Sequence, residues 1–179
     1  SAWGETEENS DLLLSLLSAL IFSLIAIFAI LVLQFNSYTQ PTIISYSILM
    51  GFVGGSFWML LTGNSYSLMF MIGFIALVGI VVNNAIILID SANENMKLWH
   101  TRADAIRESA RSRLRPILST TLTTVIGLAT LTSDGFFAPL AYTIMFGLSI
   151  ATVMTLFAIP ALYQDEYKLR LLIKRVLLK

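Results

Sequence analysis

Two adjacent carboxamides, Asn83 and Asn84, stand inside the otherwise apolar run Gly79-Ile-Val-Val-Asn-Asn-Ala-Ile-Ile-Leu-Ile-Asp90. A carboxamide surrounded by hydrocarbon must find a hydrogen-bond partner, because an unsatisfied polar group there costs several kcal/mol. Ser119, Thr120, Thr121, Thr123 and Thr124 open the next apolar run, and the basic segment between the two runs makes them antiparallel neighbours. The amides lie six to seven residues before Asp90, and the hydroxyls four to nine residues after Arg115. At about 1.5 Å per residue both sets reach similar depth, roughly 6 to 14 Å inside one membrane face, so they can meet. Two chemistries are open to such a set. One is interhelical hydrogen bonding worth about 0.6 to 2 kcal/mol per contact; the other is orientation of a titrating carboxylate on a helix elsewhere.

The elements that position these residues follow from composition. The chain has 179 residues, 56% hydrophobic and 12% charged, with a mean hydropathy of +0.80, whereas a soluble domain carries about 25% charged residues. It reads as an all-α membrane protein whose length is divided among helices of about 20 residues each. With no Cys there is no disulfide framework and no thiol chemistry. His100 stands alone as an ordinary loop residue, and no metal or cofactor is expected. No nucleophile and base pair, metal-ligand cluster or phosphate loop is present, so an enzyme is not expected. The basic residues suit a membrane border and not nucleic acid.

Residues 1–11 are polar and acidic and read as the stub of a missing upstream domain, which makes the chain a piece of a longer protein. Five spans are predicted at about 12–33, 42–61, 67–89, 116–132 and 140–162, together forming a transmembrane bundle over 12–163. Pro41 and Pro116 suit the first turns of the second and fourth spans. Gly51 and Gly55 give the second span a small-xxx-small face for close helix packing, and Gly147, Ser149, Ala151 and Thr152 give the fifth span another. Pro160 should kink or loosen the end of that fifth span. Between the third and fourth spans, a surface helix is predicted over about 101–114, started by Thr101 with Asp104 three residues on. After the last span, residues 164–179 carry Leu169, Leu172, Ile173, Val176 and Leu177 at helical spacing among Lys and Arg. They predict a basic amphipathic tail lying on anionic membrane lipid.

All 11 Lys and Arg residues fall between Asp90 and Arg115 or in the tail, and five alternating spans put both segments on one side. The other side holds Glu5, Glu7, Glu8, Asp11 and Asp134. The distribution of basic residues predicts an outward N-terminus and a cytoplasmic C-terminus. Within the spans no Asp, Glu, Lys, Arg or His lies at mid-depth, so this chain by itself cannot be argued to carry a proton.

The Gly79 to Asp90 run, followed about two dozen residues later by Arg113-Leu-Arg-Pro-Ile-Leu-Ser-Thr-Thr-Leu-Thr-Thr124, resembles the resistance-nodulation-division (RND) efflux transporters. So do Gly4-Glu-Thr-Glu-Glu8 and Leu33-Gln-Phe-Asn-Ser-Tyr38. The likeness runs from about residue 4 to residue 163. It corresponds to the last five of twelve helices, the second half of an RND-type bundle with its first helix missing. It implies a multi-pass protein of the bacterial inner membrane that exports drugs or other amphiphiles, driven by inward proton flow. It also implies a homotrimer working with a periplasmic adaptor and an outer-membrane channel, and relay aspartates on the missing N-terminal half. Asn83 then stands where multidrug members commonly carry a relay Lys. Asn84 stands at the adjacent position and Thr120 at a relay hydroxyl, while Arg113 matches a basic residue near the cytoplasmic end. Thr121, Thr123 and Thr124 would be supporting polar contacts. Asn83 departs from the family pattern, since an amide can redirect a hydrogen bond but cannot change charge. The alternative is a stand-alone helical scaffold subunit with no proton or substrate site of its own.

Overall fold

The computed structural model of the chain describes the backbone of residues 2–63, 67–98 and 101–177, and side chains within 10–63, 67–98, 101 and 103–162. His100 and the side chains of the acidic stub up to residue 9 and of the basic tail from residue 163 lie outside the described residues. Five α-helices make up the fold: α1 (Ala2–Phe35), α2 (Thr39–Thr62), α3 (Leu68–Leu98), α4 (Arg102–Ala129) and α5 (Ala138–Leu177). A 3-10 turn, Thr130–Ser133, follows α4. Each of the five helices contains a segment long and apolar enough to cross a membrane.

Local chemistry sets the boundaries. Asn36 takes a left-handed φ of 46° just past α1, a conformation that Asn tolerates better than most residues. Gly63 closes α2 with φ 67°, its N–H turned back to the Met59 carbonyl. Pro41 sits in the first turn of α2, where its missing N–H breaks no helix bond. Thr101 caps α4 as its spacing to Asp104 predicts: its Oγ1 accepts from the Asp104 N–H at 3.3 Å while its hydroxyl donates to the Asp104 carboxylate. Before α5, Asp134 Oδ1 accepts from the N–H groups of Phe136 at 2.8 Å and Phe137 at 3.1 Å.

Four helices outrun their predicted spans by nine residues or more, α1 by starting at Ala2 within the predicted stub. α3 continues nine residues beyond Ile89 to Leu98. α4 joins the predicted surface helix and the fourth span into one rod running through Pro116. α5 passes Pro160 and continues to Leu177. An internal proline removes one backbone bond and crowds the preceding turn. In α4 the turns before Pro116 are held by packing, because Ala105, Ile106 and Ser109 are buried, and tertiary contact overrides a local penalty of that size.

α5 is the central helix, packed on α2, α3 and α4, while among the described residues α1 leans on α2 and α3 alone. The core is formed by Ile44, Leu77, Val81, Ala85, Leu88, Ile89, Leu148 and Ala151 with their neighbours. Where α2 crosses α5 the backbones nearly touch. A Cβ on Gly55 would stand 3.3 Å from the Thr143 carbonyl oxygen, and one on Gly51 would meet the Ala151 Cβ at 3.5 Å. On the α5 side, a Cβ on Gly147 would overlap Leu77 and stand 2.9 Å from the Gly51 carbonyl oxygen. Dispersion between closely approaching backbones is what holds such a crossing together in lipid, where apolar burial alone drives little association.

Candidate functional site

α3 and α4 are packed neighbours, and together they carry the amides Asn83 and Asn84 and the hydroxyls from Ser119 to Thr124. Asn83 and Asn84 are adjacent in sequence and so about 100° apart around α3. Asn83 is exposed, whereas Asn84 is turned inward with 6% of its surface accessible. The Asn84 Nδ2 is buried and has no hydrogen-bond partner among the described residues.

The hydroxyls of α4 are spent differently from the expectation. Thr120 donates to the Ile117 carbonyl at 2.9 Å, Thr124 to the Thr120 carbonyl at 2.8 Å, and Thr123 reaches the carbonyls of both Ser119 and Thr120 at 3.0 Å. A Thr within a helix always has these carbonyls in reach, whereas a bond across helices needs an exact register, so the local bond wins. Of the five hydroxyls from Ser119 to Thr124, Thr121 alone makes an interhelical bond among the described residues, and it goes to Thr152 of α5, Oγ1 to Oγ1 at 2.9 Å, with both residues buried. Arg113 is half-buried, three residues before Pro116.

The structure therefore brings the helices together without bonding the Asn84 amide nitrogen to the α4 hydroxyls. What remains is unspent capacity. Each carboxamide has two N–H donors and a carbonyl acceptor, and a hydroxyl that has donated keeps lone pairs to accept with. Asn84 Nδ2 offers free donors, Asn83 is open on both counts, and Thr120 retains acceptor capacity on an exposed face. Free amide donors at membrane depth suit an acceptor oxygen, and a carboxylate is the strongest such acceptor among side chains. Among the described residues no group of three or more His, Cys, Asp and Glu side chains gathers in a way that could hold a metal ion.

Sequence reasoning placed Thr152 on a packing face and missed it as the partner of Thr121. It also passed over Asn93 and Asn95. Asn93 exchanges two hydrogen bonds with Gln40, and Asn95 donates to Ser109 at 2.7 Å. Their signal was present as amides on the helical register of α3, masked by the polar character of the segment around them.

The chain matches the sequence profile of the AcrB/AcrD/AcrF family over residues 1–165. It is 33% identical over 169 residues to the multidrug resistance protein MdtC of Edwardsiella ictaluri, covering 91% of this chain and 16% of that protein. It is 33% identical over 168 residues to the nickel and cobalt resistance protein CnrA of Cupriavidus metallidurans, covering 89% and 15%. The crystal structure of a heavy metal efflux pump superposes with a TM-score of 0.73 at 32% identity, over 81% of this chain and 15% of that one. The chain thus spans about a sixth of the length of such relatives. It is a five-helix membrane bundle that belongs to the AcrB/AcrD/AcrF family of RND transporters.

Proposed function

We propose that this chain is the C-terminal membrane portion of a proton-driven efflux transporter and supplies the uncharged side of its proton pathway. Asn84 and Asn83 would donate hydrogen bonds to a carboxylate carried by the part of the protein outside this chain, and Thr120 would present its oxygen beside them. Thr121, Thr123, Thr124 and Arg113 would support that arrangement. The observation that carries this reading is the buried Asn84 Nδ2 with no partner in the described residues. An amide nitrogen at that depth is costly unless an acceptor arrives from elsewhere. An amide cannot trade charge with the carboxylate, so in this reading the carboxylates alone carry the proton and the amides report its arrival by letting go. The N-terminus would be periplasmic and the C-terminus cytoplasmic, in a bacterial inner-membrane homotrimer that meets a periplasmic adaptor and an outer-membrane channel.

Drugs or other amphiphiles are the cargo we favour. Metal cations are the second reading, favoured by the equal identity to a nickel and cobalt resistance protein and by the heavy metal efflux pump structure. Proteoliposomes of the full-length protein under a proton gradient decide both points. Efflux of a detergent-like dye without metal flux supports the first cargo, and Ni²⁺ or Zn²⁺ flux without dye efflux supports the second. Transport of either that persists when the proton gradient is collapsed would refute the proton-driven reading.

A further inference from the structure

Beyond the apolar run, the α3 extension carries two amides that reach to different neighbours. Gln40 Nε2, in the first turn of α2, donates to Asn93 Oδ1 at 3.1 Å, and Asn93 Nδ2 returns a bond to Gln40 Oε1 at 3.3 Å. Two residues on, Asn95 Nδ2 donates to Ser109 Oγ at 2.7 Å, and the fully buried Ser109 hydroxyl donates onward to the Ala105 carbonyl at 2.7 Å. Because the only hydroxyl hydrogen of Ser109 is used on Ala105, Ser109 can only accept from Asn95. Ala92, Ala105 and Ile106 close around this joint with 4% exposure or less.

The rest of α4 is held unevenly. Its buried side chains are Ala105, Ile106, Ser109, Ile117 and Thr121, and none of the described residues from Leu122 to Ala129 is buried. Leu122 and Ile126 are 60% and 62% exposed. The helix is a rod fastened at its polar end, held again at Ile117 and Thr121, and beyond Ala129 joined to α5 only through the 3-10 turn and the short segment after it.

We propose that the Asn95–Ser109 bond is the fulcrum of α4 and that Asn95 is a positioning residue for the amide and hydroxyl set, with Gln40 and Asn93 bracing the α3 arm against α2. This rests on the transport reading above. Thr120 lies eleven residues from Ser109, about 16 Å along the helix. A tilt of about 10° at the joint would displace Thr120 and the adjacent Thr121 by about 3 Å, enough to break the Thr121–Thr152 hydrogen bond that holds this part of α4 to α5. Small changes at the joint are therefore magnified at the depth where Asn83, Asn84 and Thr120 must share one ligand.

The test uses the full-length protein with spin labels on Thr62→Cys and Ser133→Cys, both exposed and both at the ends of their helices away from the joint. Asn95→Leu and Ser109→Ala should each broaden the distance distribution between the labels. Each should lower turnover about three- to tenfold, the loss expected for one buried hydrogen bond, with the half-saturating substrate concentration unchanged. Asn95→Gln, which keeps the donor, should recover most of both. A distribution as narrow as wild type in Asn95→Leu and Ser109→Ala would overturn the proposal, as would a changed half-saturation at normal turnover. A wild-type protein that exports nothing would remove the transport reading alone, because the distance measurement still decides whether the joint governs α4.

Discussion

Asn83 and Asn84 have the same side chain and opposite surroundings, and the difference between them is a matter of one step around a helix. Asn84 lies against the core with its amide nitrogen unpartnered, so truncating it should matter wherever an external acceptor completes the site. In the full-length transporter, Asn84→Ala is expected to lower proton-coupled efflux about tenfold, the scale of one buried hydrogen bond to a charged acceptor, while expression stays near wild type. Equal losses of efflux and of protein would assign Asn84 to packing. Asn83→Leu separates the two amides: an efflux rate like wild type would take Asn83 out of the pathway. A second prediction concerns the hydroxyl-to-hydroxyl bond between α4 and α5. Thr121→Val and Thr152→Val should each cost about 0.6 to 2 kcal/mol of stability in detergent unfolding. The double variant should cost less than the sum of the two, since the second removes a partner already lost. At this scale the sequence disclosed which residue types sat at which depth. It could not disclose that Thr120, Thr123 and Thr124 would turn to their own helix, because that choice depends on a register between helices that no single run contains.

The helices were legible where local spacing and terminal residues agree, as at Thr101 and Asp104. Their ends were not, where a polar segment continues a helix on the strength of packing. Pro116 looks like a start signal, yet the turns before it pack Ala105, Ile106 and Ser109 against α3 and keep α4 whole. The contact most sensitive to element geometry is the α2–α5 crossing. A side chain at Gly147 meets Leu77, which can rotate away, and also the Gly51 carbonyl oxygen, which belongs to the backbone and cannot. Gly147→Val should therefore push α2 and α5 apart at a cost of about 1 to 3 kcal/mol, read as a lower unfolding temperature in detergent and faster proteolysis. Gly127→Ala is the control within this bundle, because nothing lies within 4 Å of where its Cβ would stand. A drop for Gly127→Ala as large as for Gly147→Val would mean that the crossing is not where the helices are held.

For the whole molecule, the distribution of charge decides how the bundle sits in a bilayer. α1 and α3 enter from the end that holds Asp11, and α2 and α4 start from the end that holds Lys97 and Arg107, so among the described residues the fold keeps the basic side chains on one side. Basic residues beside membrane helices stay on the cytoplasmic face, and acidic ones contribute little to orientation. The chain has no cysteine of its own, which makes single-cysteine labelling direct in a full-length protein freed of others. Cysteine at Gly135, exposed in the turn before α5, should react with a membrane-impermeant maleimide in intact cells stripped of their outer barrier. Cysteine at Lys97 or Arg107, exposed at the opposite end, should react only after the inner membrane is opened. The reverse pattern would invert the bundle and turn the basic joint of α3 and α4 outward. In that case Asn83, Asn84 and Thr120 would lie near the periplasmic face, and a proton entering from outside would meet them first and not last. Neutralising Arg111, Arg113 and Arg115 together sharpens the test, because the local basic excess is then reduced while the α3–α4 joint keeps its buried Ser109. Mixed labelling at Gly135 in that variant, with single-sided labelling in wild type, is the outcome expected if these arginines help to fix the orientation.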